Sequence, residues 1–195
     1  MKKLILSILI AALILFGASY TLQGIGAERA QAEHLRLLKT LLPGSESFTV
    51  EPYSGEDANI VSVHKGENGF VVETVAYGYA GEINMLIGVS SEGRVIGLVV
   101  QEAHETPGLG NEALTDHVFL SQFLNGSGNF AVATHGADTF TGATGEAEPA
   151  EGDSVEVDAI TGATVTSKAV IRCVNSAVAY VTGADAVTEA TGWGG

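Results

Sequence analysis

Behind Met1-Lys2-Lys3 the chain runs from Leu4 to Ala27 without one charged side chain. Its strongly apolar part is Leu4–Phe16, and Gly17-Ala18-Ser19-Tyr20-Thr21-Leu22 extends it. A bilayer-spanning helix needs about 20 apolar residues, and this stretch supplies them. A run apolar on every side has no face to turn to water, so it is a poor candidate for a helix docked on a small domain. Lys2 and Lys3 stand before it, and the positive-inside rule then leaves the N-terminus in the cytoplasm and sends the rest across. A basic start with small residues at Gly17-Ala18-Ser19 also fits a cleaved signal peptide. The run is longer than a signal core requires, so we expect an uncleaved, single-pass anchor over residues 1–26 in the cytoplasmic (inner) membrane. Both readings put the bulk of the protein on the extracytoplasmic side.

That bulk is acidic. The chain has 195 residues, with nine Lys+Arg against 23 Asp+Glu and a formal charge of −14. Beyond residue 40 only four bases (Lys65, Arg94, Lys168 and Arg172) face the acids. Such a surface repels phosphate backbones, so no nucleic-acid partner is expected. Hydrophobic residues make up 46% and charged ones 16%, which excludes intrinsic disorder. The single Cys173 excludes an intramolecular disulfide, a CxxC redox pair and a Cys-rich metal site. The five histidines, His34, His64, His104, His117 and His135, show no metal-ligand spacing, so no metal is expected. No nucleotide-binding glycine loop, nucleophile elbow or hydrolytic triad is readable, and no catalytic residue is assigned.

The patterning predicts an α+β fold, an antiparallel sheet with flanking helices, behind the anchor. Residues 27–47 read as a connecting helix over Ala27–Leu42, stopped by Pro43-Gly44. Residues 48–182 form the extracytoplasmic domain. Strands are expected at Ile60–His64, Phe70–Tyr77, Ile83–Val89 and Arg94–Val100, the last two joined by the hairpin signal Ser90-Ser91-Glu92-Gly93. Ala113–Leu124 reads as a short helix, Asn125–Gly152 as a long irregular connection and Val155–Val157 as a short strand. Thr166–Val181 carries Val170, Val174, Ala177, Val178 and Val181 on one helical face. Residues 183–195 read as a loose tail.

Two segments carry the chemistry. His104-Glu105-Thr106-Pro107-Gly108-Leu109-Gly110 follows the last strand of the sheet, and its proline and glycines make a rigid loop that a flat ligand can approach. Read alone, it is equally a turn between a strand and a helix. Asp158-Ala159-Ile160-Thr161-Gly162-Ala163-Thr164-Val165-Thr166-Ser167 stands before the terminal helix. A helix start offers free N–H groups and the positive end of the dipole, a ready phosphate site. Capping by Thr164 or Thr166 would use one hydroxyl; here four lie within seven residues.

Asp-x-x-Thr-Gly-Ala-Thr-x-Thr-Ser resembles the flavinylation motif of the FMN-binding domain family. The order of features is also similar: an anchor, Gly78-Tyr79-Ala80-Gly81, Glu105-Thr106-Pro107-Gly108-Leu109-Gly110, then the threonine motif and a terminal helix. Within the family the chain resembles the G subunits of Rnf electron-transport complexes and, more distantly, the C subunits of sodium-pumping NADH:quinone reductases. The resemblance implies FMN joined through its phosphate to Thr164 by a separate flavin transferase. Asp158, Thr161, Gly162 and Ala163 would complete the transferase's recognition sequence, with Thr166 and Ser167 beside the acceptor. Glu105, Thr106, Pro107, Gly108, Leu109 and Gly110 would lie near the flavin ring. It further implies other integral membrane and redox subunits as partners, in a complex coupling ferredoxin oxidation, usually with NAD reduction, to ion translocation. A stand-alone extracytoplasmic flavoprotein and a non-redox anchored binding domain are the alternatives.

Asp138-Thr139-Phe140-Thr141-Gly142-Ala143-Thr144 repeats the pattern but is followed by Gly145-Glu146-Ala147-Glu148-Pro149 instead of a helix. Without a helix start behind it Thr144 is read as a decoy, and a second acceptor there stays open. His104 reads as a surface histidine and Cys173 as a packed small hydrophobe.

Overall fold

The computed structural model describes residues 29–106, 110–133 and 154–184. The expected anchor at residues 1–26, the Thr144 copy of the motif, Pro107, Gly108, Leu109 and residues 185–195 of the expected tail lie outside them. The chain divides into two units, one ending at Leu38 and the other beginning at Lys39. In the first, the described residues 29–38 are helical. No helix of the described residues is long and apolar enough to cross a membrane.

The second unit opens with residues 39–41, the last turn of helix α1 (residues 29–41). Five antiparallel strands follow, β1 (Thr49–Glu51), β2 (Ile60–Lys65), β3 (Gly69–Tyr77), β4 (Glu82–Ser90) and β5 (Val95–Ala103), each paired with its neighbour in sequence. The expected hairpin joins β4 to β5, and Gly93 takes the positive φ, 81°, that its turn requires. The last strand was expected to end at Val100; it continues to Ala103, which brings His104 and Glu105 directly to the end of the sheet.

One face of the sheet is covered by α4 (Thr164–Thr182). Nine of its 19 residues are β-branched, each unfavourable in a helix by about 0.5 kcal/mol against alanine. Docking outweighs this. Val170, Ile171, Val174 and Val178 are buried against Val63, Val72, Ile83, Met85 and Ile87, and each such side chain contributes roughly 1.5–3 kcal/mol. On the other face Gly88 and Gly97 pair across β4 and β5, and the backbone of Leu41 lies in the space their missing side chains leave.

Two expectations need correction. The helix read at Ala113–Leu124 is two short helices, α2 (Gly110–Thr115) and α3 (His117–Ser121). Asp116 divides them: its carboxylate accepts hydrogen bonds from Val118 N (2.7 Å) and Phe119 N (3.1 Å), a cap that starts a new helix. The connection read as irregular from Asn125 contains β6 (Asn129–Val132), which pairs in parallel with β7 (Ser154–Val157) in a separate two-stranded sheet. Asn175 of α4 holds β6 in the manner of a neighbouring strand. Its amide accepts from Phe130 N at 2.8 Å and donates to Phe130 O at 3.0 Å.

Candidate functional site

The threonine motif forms a turn that delivers the chain into α4. Ala163 N donates to Ile160 O at 2.9 Å, and Gly162 has φ +82°, the arrangement of a type II turn with glycine at its third position. Ser167, fully buried, holds the turn from below: its hydroxyl accepts from Ile160 N at 3.2 Å and donates to Ala163 O at 3.0 Å. Gln122 holds Asp158, two residues before the turn, accepting from Asp158 N at 2.8 Å and donating to Asp158 O at 3.2 Å.

Thr164 is exposed and is the first residue of α4, two residues earlier than the helix was expected to begin. The N-cap is Ala163, and no side chain caps this end. Neither Thr164 nor Thr166 is spent on capping. The helix start therefore keeps its outward N–H groups and the positive end of its dipole for an anion. Lys168 stands one turn along and Arg172 two turns along, at the i, i+4 and i+8 spacing that shares a helix side. Lys168 thus falls on the flank of Thr164, and Arg172 about 12 Å along the helix. Arg172 also donates from Nη2 to Tyr77 O at 2.7 Å, fastening α4 to the end of β3.

Thr166, with 0% exposure, points away from solvent and donates to Glu105 Oε1 at 3.1 Å. The same carboxylate accepts from Tyr79 N at 2.7 Å and Ala80 N at 3.2 Å. Glu105 thus joins the β3–β4 turn, the end of β5 and the first turn of α4. Gly78 and Gly110 border it, and a Cβ on either would fall on its carboxylate. Thr106 accepts at its carbonyl from Asn111 N at 3.4 Å. Tyr79 is 70% exposed and Val165, next to Thr164 in the chain, is 48% exposed, so both the β3–β4 turn and the first turn of α4 carry a large side chain at the surface.

Of the residues singled out in the sequence, the structure brings Glu105, Gly110, Gly162, Ala163, Thr164, Thr166 and Ser167 to one place. Asp158 and Thr161 are exposed on the approach to the turn. His104 is a surface residue, its ring 3.7 Å from Glu102 Oε1. Cys173 is on the buried side of α4, and burial, the main cause, pushes its thiol up to about 11. Among the described residues no group of three His, Cys, Asp or Glu side chains could hold a metal. The donor role of Tyr79 and Ala80 and the flank of Lys168 and Arg172 were not read from the sequence. The four-residue spacing from Thr164 was the available signal for the second.

The arrangement fits a phosphate-bearing cofactor. The Thr164 hydroxyl is exposed at an uncapped helix start, Lys168 stands one turn along, and the loops around it carry glycines. The family described as FMN-binding domain matches residues 78–179. The chain is 33% identical over 180 residues to the G subunit of the ion-translocating oxidoreductase complex of Methanosarcina acetivorans, covering 86% of this chain and 85% of that one. It is 36% identical over 111 residues to the G subunit of the Na(+)-translocating ferredoxin:NAD(+) oxidoreductase complex of Acetobacterium woodii, covering 56% of this chain. There the alignment spans about half of the relative's length, 47%. Among solved structures, the crystal structure of Shewanella oneidensis NqrC is similar with a TM-score of 0.47 and 20% identity, covering 75% of this chain and 73% of that one.

Proposed function

The chain belongs to the FMN-binding domain family, and from that premise we propose that it carries FMN as a phosphoester on Thr164 and passes electrons as the G subunit of a membrane-bound, Rnf-type complex. The single observation that supports the site is the start of α4. Thr164 offers an exposed hydroxyl at a helix end with no side-chain cap. Helix N–H groups, Lys168 and Arg172 would stabilise the remaining phosphate charge. Glu105, itself satisfied by three donors, would hold the β3–β4 turn and α4 in fixed relation around the acceptor. FMN, when bound, supplies reversible electron transfer; the chain supplies attachment, position and local charge.

In this reading residues 1–26 anchor the chain in the cytoplasmic membrane, residues 27–47 connect, residues 48–182 form the extracytoplasmic FMN-binding domain and residues 183–195 are a tail. A flavin transferase matures the chain. The assembled complex, with other integral membrane and redox subunits, would couple ferredoxin oxidation, usually with NAD reduction, to ion translocation. A bond through the phosphate needs no enclosing pocket around the flavin, which suits a carrier that must meet neighbouring redox centres.

The test is to produce the full chain in exported form together with a flavin transferase and to denature it. Flavin fluorescence on the denatured band should persist, map by mass to the peptide containing Thr164, and vanish in Thr164→Ala. Label on the Thr144 peptide would move the site. No label, with the transferase active on a control substrate, would remove the cofactor from the reading altogether.

A further inference from the structure

A second concave site lies near the other end of α4, independent of the flavin reading. It is a cleft of about 560 Å³ whose lining includes Tyr53, Glu56, Asp57, Asn59, Ser176 and Tyr180. That volume is in the range of small-molecule sites. Ser176 is twelve residues beyond Thr164, so the cleft stands roughly 18 Å along the helix from the acceptor at 1.5 Å rise per residue.

The chemistry of its lining is one-sided. Two carboxylates line it and no basic residue does. The rings of Tyr53 and Tyr180 meet edge to face, with centroids 6.0 Å apart. Both hydroxyls are already engaged: Tyr180 donates to Glu51 Oε2 at 3.0 Å, and Tyr53 accepts from Asp57 N at 3.1 Å. The two rings give the cleft an aromatic wall. Asn59 N donates to Asp57 Oδ1 at 2.9 Å, while Asp57 Oδ2 is buried with no hydrogen-bond partner. A buried carboxylate oxygen left without a donor is unfavourable. A donor that reaches the Asp57 carboxylate would satisfy it; Asn59 Nδ2 and Ser176 Oγ, 3.3 Å apart, stand in the same lining.

We infer that this cleft is a binding site for an ammonium or guanidinium group carried on a short apolar stem, the stem lying against Tyr53 and Tyr180 and the charge on the carboxylates of Asp57 and Glu56. The group belongs either to a free small molecule or to a lysine or arginine side chain of a neighbouring protein.

Butylguanidinium chloride is the probe, with n-butanol as its neutral counterpart and calcium chloride as the metal control, titrated into the isotope-labelled full chain in detergent. The side-chain amide signal of Asn59 is the readout. Saturable binding with a Kd of about 1 mM is expected for so small a ligand. Glu56→Gln, a surface change that leaves the fold intact, should weaken it about threefold. Asp57→Asn should weaken it about tenfold or more. Repeating the titration on the chain in its native membrane assembly separates the two sources. Binding lost there indicates a neighbour's basic side chain in the cleft, and binding retained indicates a free ligand. The inference is overturned if the Asn59 signal does not move, if butanol moves it equally, if only calcium does, or if Glu56→Gln and Asp57→Asn both bind as tightly as the unchanged chain.

Discussion

Thr166 and Glu105, 61 residues apart in the chain, are joined by a hydrogen bond of 3.1 Å from a fully buried hydroxyl to a carboxylate that also holds two backbone N–H groups. Removing that carboxylate strands Tyr79 N, Ala80 N and the Thr166 hydroxyl together. Glu105→Ala should lower stability by about 1–3 kcal/mol, read as a fall of roughly 2–4 °C in Tm per kcal/mol for a chain of this size. Thr166→Val, which keeps the shape, should cost less. A cycle of the two single variants and the double should give a coupling of about 0.5 kcal/mol or more. Additive effects in urea unfolding would refute the link.

Gly88 and Gly97 face each other across β4 and β5, but they should not respond alike to a methyl group. A Cβ on Gly88 meets the backbone carbonyl of Leu41, whereas one on Gly97 meets the Leu41 side-chain Cδ2 at 3.3 Å. Backbone cannot step aside as a rotamer can. Gly88→Ala should destabilise by about 1–3 kcal/mol, and Gly97→Ala by clearly less. Unfolding midpoints of the two variants, measured side by side, decide this.

Gly162 takes φ +82°, where an L side chain costs about 1 kcal/mol. Gly162→Ala should therefore lose about that much stability and also slow attachment of flavin at Thr164, because the turn that presents it relaxes. Flavin absorbance per polypeptide after a fixed reaction time gives the second readout. Normal labelling alongside the stability loss would separate the turn from the acceptor.

Lys168 is exposed one turn beyond Thr164. Lys168→Glu reverses the charge beside the proposed phosphate and should slow labelling by about fivefold at low salt. As a surface change it should leave stability within about 0.5 kcal/mol. Raising the salt should narrow the difference between the two proteins. Identical labelling rates at low salt would exclude a role for this charge.

Cys173 is held neutral by burial. Its thiol ordinarily titrates near 9.0, and in the fold near about 11. Between these values the unfolded chain has lost a proton that the folded chain keeps, so stability falls as pH rises. The contribution is fully present below pH 9 and is lost progressively up to pH 11. Urea unfolding at pH 8 and at pH 10.5 should show a decline that Cys173→Ala reduces. The same burial should leave the native thiol unreactive to a disulfide reagent at pH 8, with full reaction in urea.

Strands β2 to β5 were legible because their apolar runs are bounded by turn clusters, Lys65 to Gly69 and Ser90 to Gly93, and α4 because its small and aliphatic residues repeat at helical spacing. What escaped was set at a distance. Strand β6 has four residues and little pattern of its own; its neighbours are β7, beyond Val132 by more than twenty positions, and the amide of Asn175. The break between α2 and α3 was written locally, in Asp116, yet the apolar spacing on either side hid it. At the candidate site the motif marked the right turn but not the inward use of Thr166 and Ser167. Hydroxyls look alike in sequence, and only the fold shows which ones meet solvent.

The contact from Glu105 to the first turn of α4 also imposes an order of events. The groups from Gly78 to Gln122 that border this turn are synthesised before it, and the helix that carries Thr164 closes the sheet from the far end of the domain. Until α4 docks, Glu105 lacks its third donor and one face of the sheet is bare. In the proposed function the presentation of Thr164 is thus a report that folding is finished, and an enzyme that reads this turn in its docked form would modify completed domains and pass over nascent ones.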